Sequence, residues 1–242
     1  MALMSDAVMV IYCDVSSDVA GHDDWHTYEH MHERLSIPGF FRGSRWTRTS
    51  GSPRYMIFYE VADLNMATSP EYLQRLNNPS EWTSTTMKRL GGMSRGLCNV
   101  IATAGYGLGH AALSLRIPQP LSAEATRWLI EQVKAIASWR GMASVHLFVP
   151  APHPPMTKEQ SIRGDDTTMG VVLLATAHDT GTLVRACEHH LGKETLERNG
   201  IAVLDRGMYE LGFTATATEV LRTPANRPLT AEERKTDGSR NA

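Results

Sequence analysis

Residues 40–62 read FFRGSRWTRTSGSPRYMIFYEVA, and this stretch decides the fold. Two runs rich in aromatic and β-branched residues, 40–49 and 54–62, flank Ser50-Gly51-Ser52-Pro53, four residues of the turn-forming kind, so the stretch predicts a β-hairpin. Working outward toward the N-terminus, residues 23–36 carry Trp25, Tyr28, Met31 and Leu35 near helical spacing and stop at Pro38-Gly39. Before them, residues 7–14 alternate in polarity and are rich in Val, Ile and Tyr, as a strand is. Toward the C-terminus, Ser69-Pro70 opens a helix to Leu76, with Ser as N-cap and Pro at the first helical position. A short helix over 81–90 leads past Gly91-Gly92 into a strand over 95–103. The predicted order is β, α, β, β, α, β.

The second half repeats it. A strand at 110–117 precedes a helix at 123–138, capped by Ser122, with Trp128, Leu129, Val133 and Ile136 on one side. Strands at 143–149 and 169–177, a helix at 183–199 broken at Gly192 and a strand at 201–213 complete the series. One βαββαβ unit is ferredoxin-like and leaves one sheet face bare. Two such units can cover each other's bare faces. The predicted fold is therefore α+β: two tandem ferredoxin-like units, residues 1–105 and 106–221, packed sheet to sheet as an intrachain barrel with a pocket between the sheets. The stretch 150–166, with four prolines, predicts a lid or a disordered loop. Residues 222–242 predict a flexible tail.

Composition narrows the partners. The chain has 242 residues, 24 Lys plus Arg against 26 Asp plus Glu, and a formal net charge of -2. Nothing in that balance attracts nucleic acid or an anionic membrane. No apolar run approaches the roughly 18 residues of a membrane span, and the first residues lack a signal-peptide pattern, so a cytoplasmic location is expected. Cys13, Cys98 and Cys187 are odd in number, far apart and set in apolar segments, which disfavours disulfides and CxxC metal sites.

The densest polar cluster is H-D-D-W-H-T-Y-E-H-M-H-E-R, residues 22–34. His22, His26 and His30 recur every four residues and drift slowly around one helix face. The bland reading makes His22, His32, Glu29 and Glu33 solvated helix residues. A metal reading pairs His26 with His30, but no HExxH and no third ligand at matching spacing supports it, and no metal is expected. The third reading is acid–base chemistry by His30, since imidazole titrates nearest neutral pH.

The run W-H-T-Y-E-H-M-H-E-R-L-S-I-P-G-F-F-R-G-S-R-W, Trp25 to Trp46, resembles the EthD-like dimeric α+β barrel proteins. PRYMIFYEV and SPEYLQRLNNPSEWT, which follow it, look like the tandem members found among bacterial aromatic-degradation proteins. The resemblance covers residues 7–105 and reaches the second half only in element order. It implies that His30 faces the cleft as catalytic base or acid, with Trp25 and His26 close by. Arg45 and Trp46 alternate on one strand, so only one of them points into the barrel. Arg45 would serve as a carboxylate clamp or form an ion pair. Tyr55 and Tyr59 share one strand face, and either hydroxyl could polarise a carbonyl. Trp82 would wall the pocket or anchor its loop. His110 and His146 lie on second-half strands from which they could reach the barrel interior.

The second-half helix AEATRWLIEQVKAIASW contains no His, so two identical sites are excluded and one pocket, furnished by the first half, is expected. No G-x-S-x-G elbow occurs, and Gly105-Tyr106-Gly107-Leu108-Gly109 lacks the spacing of a phosphate loop. Cys98 reads as a small core residue. The expected function is a cofactor-independent enzyme acting on a small, anionic, unsaturated carboxylate such as an aromatic ring-cleavage product, by isomerisation or methyl-ester hydrolysis. A non-catalytic or stress-responsive binding protein and a cofactorless monooxygenase are the alternatives on the same barrel. Association of two chains is left open.

Overall fold

The computed structural model describes residues 3–152, 157–162, 164, 166, 167 and 169–223. Its strands are β1 (Ala7–Val15), β2 (Phe40–Arg48), β3 (Tyr55–Val61), β4 (Leu90–Gly105), β5 (Ala111–Ile117), β6 (Met142–Pro150), β7 (Val171–Ala177) and β8 (Asp205–Thr216). The helices are α1 (Val19–Trp25), α2 (Met31–Leu35), α3 (Pro70–Asn77), α4 (Glu81–Met87), α5 (Ala123–Ala137), α6 (Lys158–Ile162), α7 (Thr180–Leu191), α8 (Lys193–Arg198) and α9 (Ala217–Arg222). Local chemistry sets many of their ends. The Ser69, Ser122 and Asp179 side chains accept from the backbone N–H groups of Tyr72, Ala125 and Thr182, capping α3, α5 and α7. Gly192 separates α7 from α8.

The strands close into one antiparallel barrel in the order β1-β3-β2-β8-β5-β7-β6-β4. The first four stand as β4-β1-β3-β2 and the last four as β8-β5-β7-β6, the same pattern. The halves do not merely stack face to face. Backbone pairing of β2 with β8 and of β4 with β6 joins the sheet edges into a continuous ring. This explains why β4 extends at both ends beyond the predicted 95–103 and why β8, which starts at Asp205 rather than 201, runs on past 213 to Thr216: each pairs with strands of both halves, and tertiary partners carry them past their own β-forming runs.

Alternation along the strands divides the molecule into three cores. Val8, Val10 and Tyr12 point into the barrel, where they meet Trp46, Phe58, Phe148 and Tyr209. Met9 and Cys13 point outward, toward the first-half helices. On the other side of the ring, Leu113, Leu115, Val145 and Leu173 face α5 and α7. The barrel interior, where the pocket was expected, is filled by large rings and closed polar pairs. The Tyr12 hydroxyl lies 2.6 Å from Ser114 Oγ, and the Arg116 guanidinium sits 4.7 Å over the Tyr12 ring.

The three cysteines are free and buried. Among the described residues no helix is long and apolar enough to cross a membrane. Of the expected tail, residues 224–242 lie outside the described residues.

Candidate active site

The first helix starts earlier than its apolar spacing predicts. Asp18, in a left-handed conformation (φ 53°), caps α1 by accepting from the Gly21 N–H, so helix begins at Val19 rather than near residue 23. It then changes gauge. Residues His26–His30 form a π turn, in which the Met31 N–H bonds to the His26 carbonyl five residues back, before α2 resumes. In a regular α-helix, positions four apart advance by about 40° around the axis. The wide turn absorbs an extra residue and offsets that drift, and such turns concentrate at functional sites. His22, His26, His30 and Arg34 accordingly all line one cavity.

That cavity lies between the outer face of the first-half sheet and its helices. Met9, Ile57, Tyr59, Met93 and Arg95 rise from the strands, and Trp25 and Tyr72 close the helix side. Its volume of about 50 Å³ has room for only a few water molecules. The cover comes from the other half. Within the 150–166 stretch, α6 places Glu159 and Gln160 on the cavity, while residues 153–156, 163 and 165 lie outside the described residues.

The rings form a tight column. Tyr55 stacks on His22 at 4.6 Å, His22 on His26 at 5.9 Å, and His26 lies 5.7 Å from His30, which sits 4.5 Å from Trp25. Trp25 is held by its indole N–H, which donates to Thr83 Oγ1 at 3.1 Å. Thr83 and Ser80 in turn donate to the Glu29 carboxylate, locking the π turn to α4. The Tyr59 hydroxyl lies 3.4 Å from His26 Nε2. Gly43 makes room for that hydroxyl's ring: a Cβ there would fall on the Met31 sulfur and within 2.9 Å of the Tyr59 ring.

Burial sets the protonation states. His26 and His30 are held well below the ordinary imidazole range, first by loss of hydration and then by the positive charge of Arg45 for His26 and of Arg34 for His30. Both are neutral at neutral pH and can accept a proton. Burial pushes the Tyr59 phenol upward, so it stays a donor. Several buried polar atoms here have no hydrogen-bond partner within the protein: His22 Nε2, His26 Nδ1, His30 Nδ1 and Arg34 Nη1, whereas Arg95 Nε lies 3.5 Å from the Asp166 carboxylate. Polar atoms without a protein partner beside a cavity need water or a ligand to satisfy them. Among the described residues no group of three or more His, Cys, Asp or Glu side chains converges to hold an ion.

The expected site residues separate into two sets. His30, His26, Tyr59 and Trp25 come together on the cavity, on the helix side of the sheet rather than inside the barrel. Tyr55 is fully buried at the edge of the ring column, its phenol raised to about 12 by burial. The remaining residues lie elsewhere. Strand parity turns Trp46 into the barrel core. Arg45 points to the helix side but is not on the cavity: it donates to the Asp23 carbonyl at 3.0 Å and to Thr27 Oγ1 at 3.1 Å. Trp82 is half-buried on α4 away from the lining. His110 precedes β5 and is exposed, so it does not reach the interior. His146 does point inside, bonded to Thr103 Oγ1 at 2.8 Å and lowered to about 3 by burial and then by Arg42. That position lies across the sheet from the cavity.

His22 is not solvated: it is 1% exposed and lines the cavity. Glu29 is likewise engaged rather than free in solvent. Cys98 is buried, and its thiol is pushed up to about 12 by that burial. Arg34, Tyr72, Arg95, Glu159 and Gln160 were not foreseen. For Arg34 the signal was present, because one more four-residue step from His30 reaches it. Arg95 shares its strand face with Met93 and Leu97.

No protein-family model matches the chain, and no curated protein matches its sequence. Solved structures do resemble it. An anthrone oxidase-like protein superposes with a TM-score of 0.59 at 8% identity, covering 90% of this chain and 96% of its own. A Fusobacterium nucleatum subsp. nucleatum protein whose name proposes a monooxygenase gives 0.56 at 10% identity, covering 88% and 96%. A Lactobacillus acidophilus protein of similar name gives 0.52 at 11% identity, covering 88% and 97%. At these identities the likeness concerns the fold alone. The chain shares the ferredoxin-like α+β barrel fold of these proteins.

Proposed function

We propose that this chain is a cofactor-independent, EthD-like enzyme, built of two ferredoxin-like units over residues 1–105 and 106–221, that moves a proton on a small unsaturated carboxylate of the ring-cleavage-product kind. The observation that carries this reading is the pair of buried, neutral imidazoles, His26 and His30, lining one cavity with their Nδ1 atoms unpartnered within the protein. A neutral imidazole keeps its lone pair free to take a proton α to a carbonyl; its lowered pKa weakens it as a base, so the transfer relies on stabilisation of the enolate as it forms. His30 takes that proton. The Tyr59 hydroxyl, beside His26, donates to the enolate oxygen as its charge develops. Return of the proton to a different carbon completes an isomerisation with no oxidant or reductant. With water in place of the carbon acid, the same base would serve methyl-ester hydrolysis.

A second reading has its own support. The same proton removal from an enolisable ketone or a phenol would open a cofactorless oxygenation, and an anthrone oxidase-like protein and proteins named as proposed monooxygenases share this fold. One experiment addresses both. Turnover of a panel of ring-cleavage carboxylates is followed together with dissolved oxygen, for the native protein and for His30→Ala. Proton-transfer catalysis predicts a loss of roughly 10²–10⁴ in kcat for the variant and no oxygen uptake. Full turnover by His30→Ala on every substrate would remove His30 from the mechanism. Oxygen consumed in step with product would establish the second reading.

A further inference from the structure

The cavity holds a cation that the proposed proton transfer leaves unassigned. Arg34 is 3% exposed and sits one helical turn beyond His30. Its Nη2 donates to both carboxylate oxygens of Glu159, at 2.7 and 2.8 Å. Its Nη1 donates to nothing, although it too is buried. A guanidinium grips a carboxylate best with two parallel N–H···O bonds from two nitrogens. Here one nitrogen serves both oxygens and the other is idle, so the pair is an under-used receptor rather than an optimised ion pair. The acidic partner also comes from far away in the chain: Glu159 stands on the five-residue helix α6 of the second half. Behind Arg34, the Tyr72 ring lies 5.6 Å from the guanidinium carbon, and Arg95 Nη1 reaches the Tyr72 hydroxyl at 3.4 Å.

We infer that Arg34 is the receptor for the substrate's carboxylate, and that Glu159 is an internal stand-in which occupies it until a ligand carboxylate displaces it. The inference rests on the proton-transfer reading for its substrate class, and it moves the anion clamp from Arg45, which is engaged by the Asp23 carbonyl and Thr27, to Arg34. The free space of about 50 Å³ is too small for an organic acid, and a ligand carboxylate that takes the place of the Glu159 side chain gains the room that side chain fills. A carboxylate bound by both nitrogens of Arg34 lies one helical turn from His30, placing the adjacent carbon chain against the base.

Binding of benzoate, measured by calorimetry at neutral pH, tests this without any turnover. Glu159→Gln removes the internal competitor, and its affinity for benzoate is expected to exceed that of the native protein by about tenfold or more, the worth of a charge-assisted hydrogen bond. Arg34→Gln/Glu159→Gln replaces the ion pair by a neutral pair of similar shape, and its melting temperature confirms that it folds. That variant is expected to lose benzoate binding. Benzoate is also expected to speed amide hydrogen exchange over residues 158–162 in the native protein. Benzoate affinity unchanged by Glu159→Gln, or retained by the folded double variant, would overturn the inference and leave the pair a purely structural tie. Loss of turnover in His30→Ala bears on the proton-transfer reading alone, so the two claims fail separately.

Discussion

The molecule contains two helix-on-sheet layers built to one strand pattern, and they are packed in opposite ways. In the second-half layer, Ala125, Leu129, Val133 and Ile136 of α5 and Leu183, Ala186 and Cys187 of α7 meet Leu113, Leu115, Val145, Leu147 and Leu173, all buried and apolar. In the first-half layer, the corresponding helix presents His22, His26, His30 and Arg34 to Tyr59 and Arg95. Partnerless polar atoms of these residues gather there, while none of the second-layer residues just named carries one. A backbone pattern that supports a dry core in one place supports a polar cavity in the other. The difference lies in the side chains of one helix face and in the π turn that aims them. Both layers bury an apolar cluster, but the first interrupts its cluster with polar side chains along one helix face.

That contrast can be broken by substitution. The largest effect is expected in the dry layer: Leu129→Ala, at a fully buried position, should lower unfolding free energy by roughly 2–5 kcal/mol. Denaturant titration measures it, and a loss below about 1 kcal/mol would mean that the layer is loosely packed.

Acid should act next, and mainly through the polar layer. The folded pKa values of His26 and His30 lie below the unfolded value near 6.5, so between the two the unfolded chain binds protons that the folded chain does not. Stability is therefore full above pH 6.5 and falls as pH drops through that window, with a slope of up to about 1.4 kcal/mol per pH unit for each imidazole. His146, lowered to about 3 inside the barrel, adds to the slope. A melting temperature flat from pH 7 to pH 5 would contradict buried neutral imidazoles.

His30→Leu sharpens the comparison further. It makes the first layer resemble the second and removes a buried nitrogen without a partner, so stability should rise by about 1 kcal/mol while turnover is lost. A variant that is both less stable and fully active would refute the trade. Gly43→Ala should disturb the site through Tyr59 and lower kcat by about tenfold, with a smaller effect on KM. The smallest effect is expected on the solvent face of α7, at exposed Val184, where Val184→Ser should stay within about 0.5 kcal/mol of the native stability.

How much of this was legible before the structure depended on the range of the forces involved. Strand β1, the β2–β3 pair, the Ser-capped helices α3 and α5 and the break at Gly192 follow from local periodicity and capping, and the chain displays those signals directly. The early start of α1 was hidden because Val19-Ala20-Gly21 has no apolar period and its cap is an Asp in an uncommon backbone conformation. The four-residue histidine spacing pointed to the site but not to its location, because a helix does not say which side of a sheet it covers. Arg45 and Trp46 illustrate the limit. Alternation requires that they face opposite ways, yet only the closed barrel shows that Trp46 takes the interior. Glu159 left no local trace at all, since its contact with Arg34 spans 125 residues of chain.

The central claim is that the first layer keeps neutral imidazoles on the lining of one small cavity. Nitrogen NMR of labelled His26 and His30, assigned with His26→Leu and His30→Leu and titrated from pH 8 to pH 5, tests it most directly. Both rings are expected to remain neutral at pH 6.5 and to begin protonating only well below it, whereas half-protonation of either ring near pH 6.5 would contradict the account.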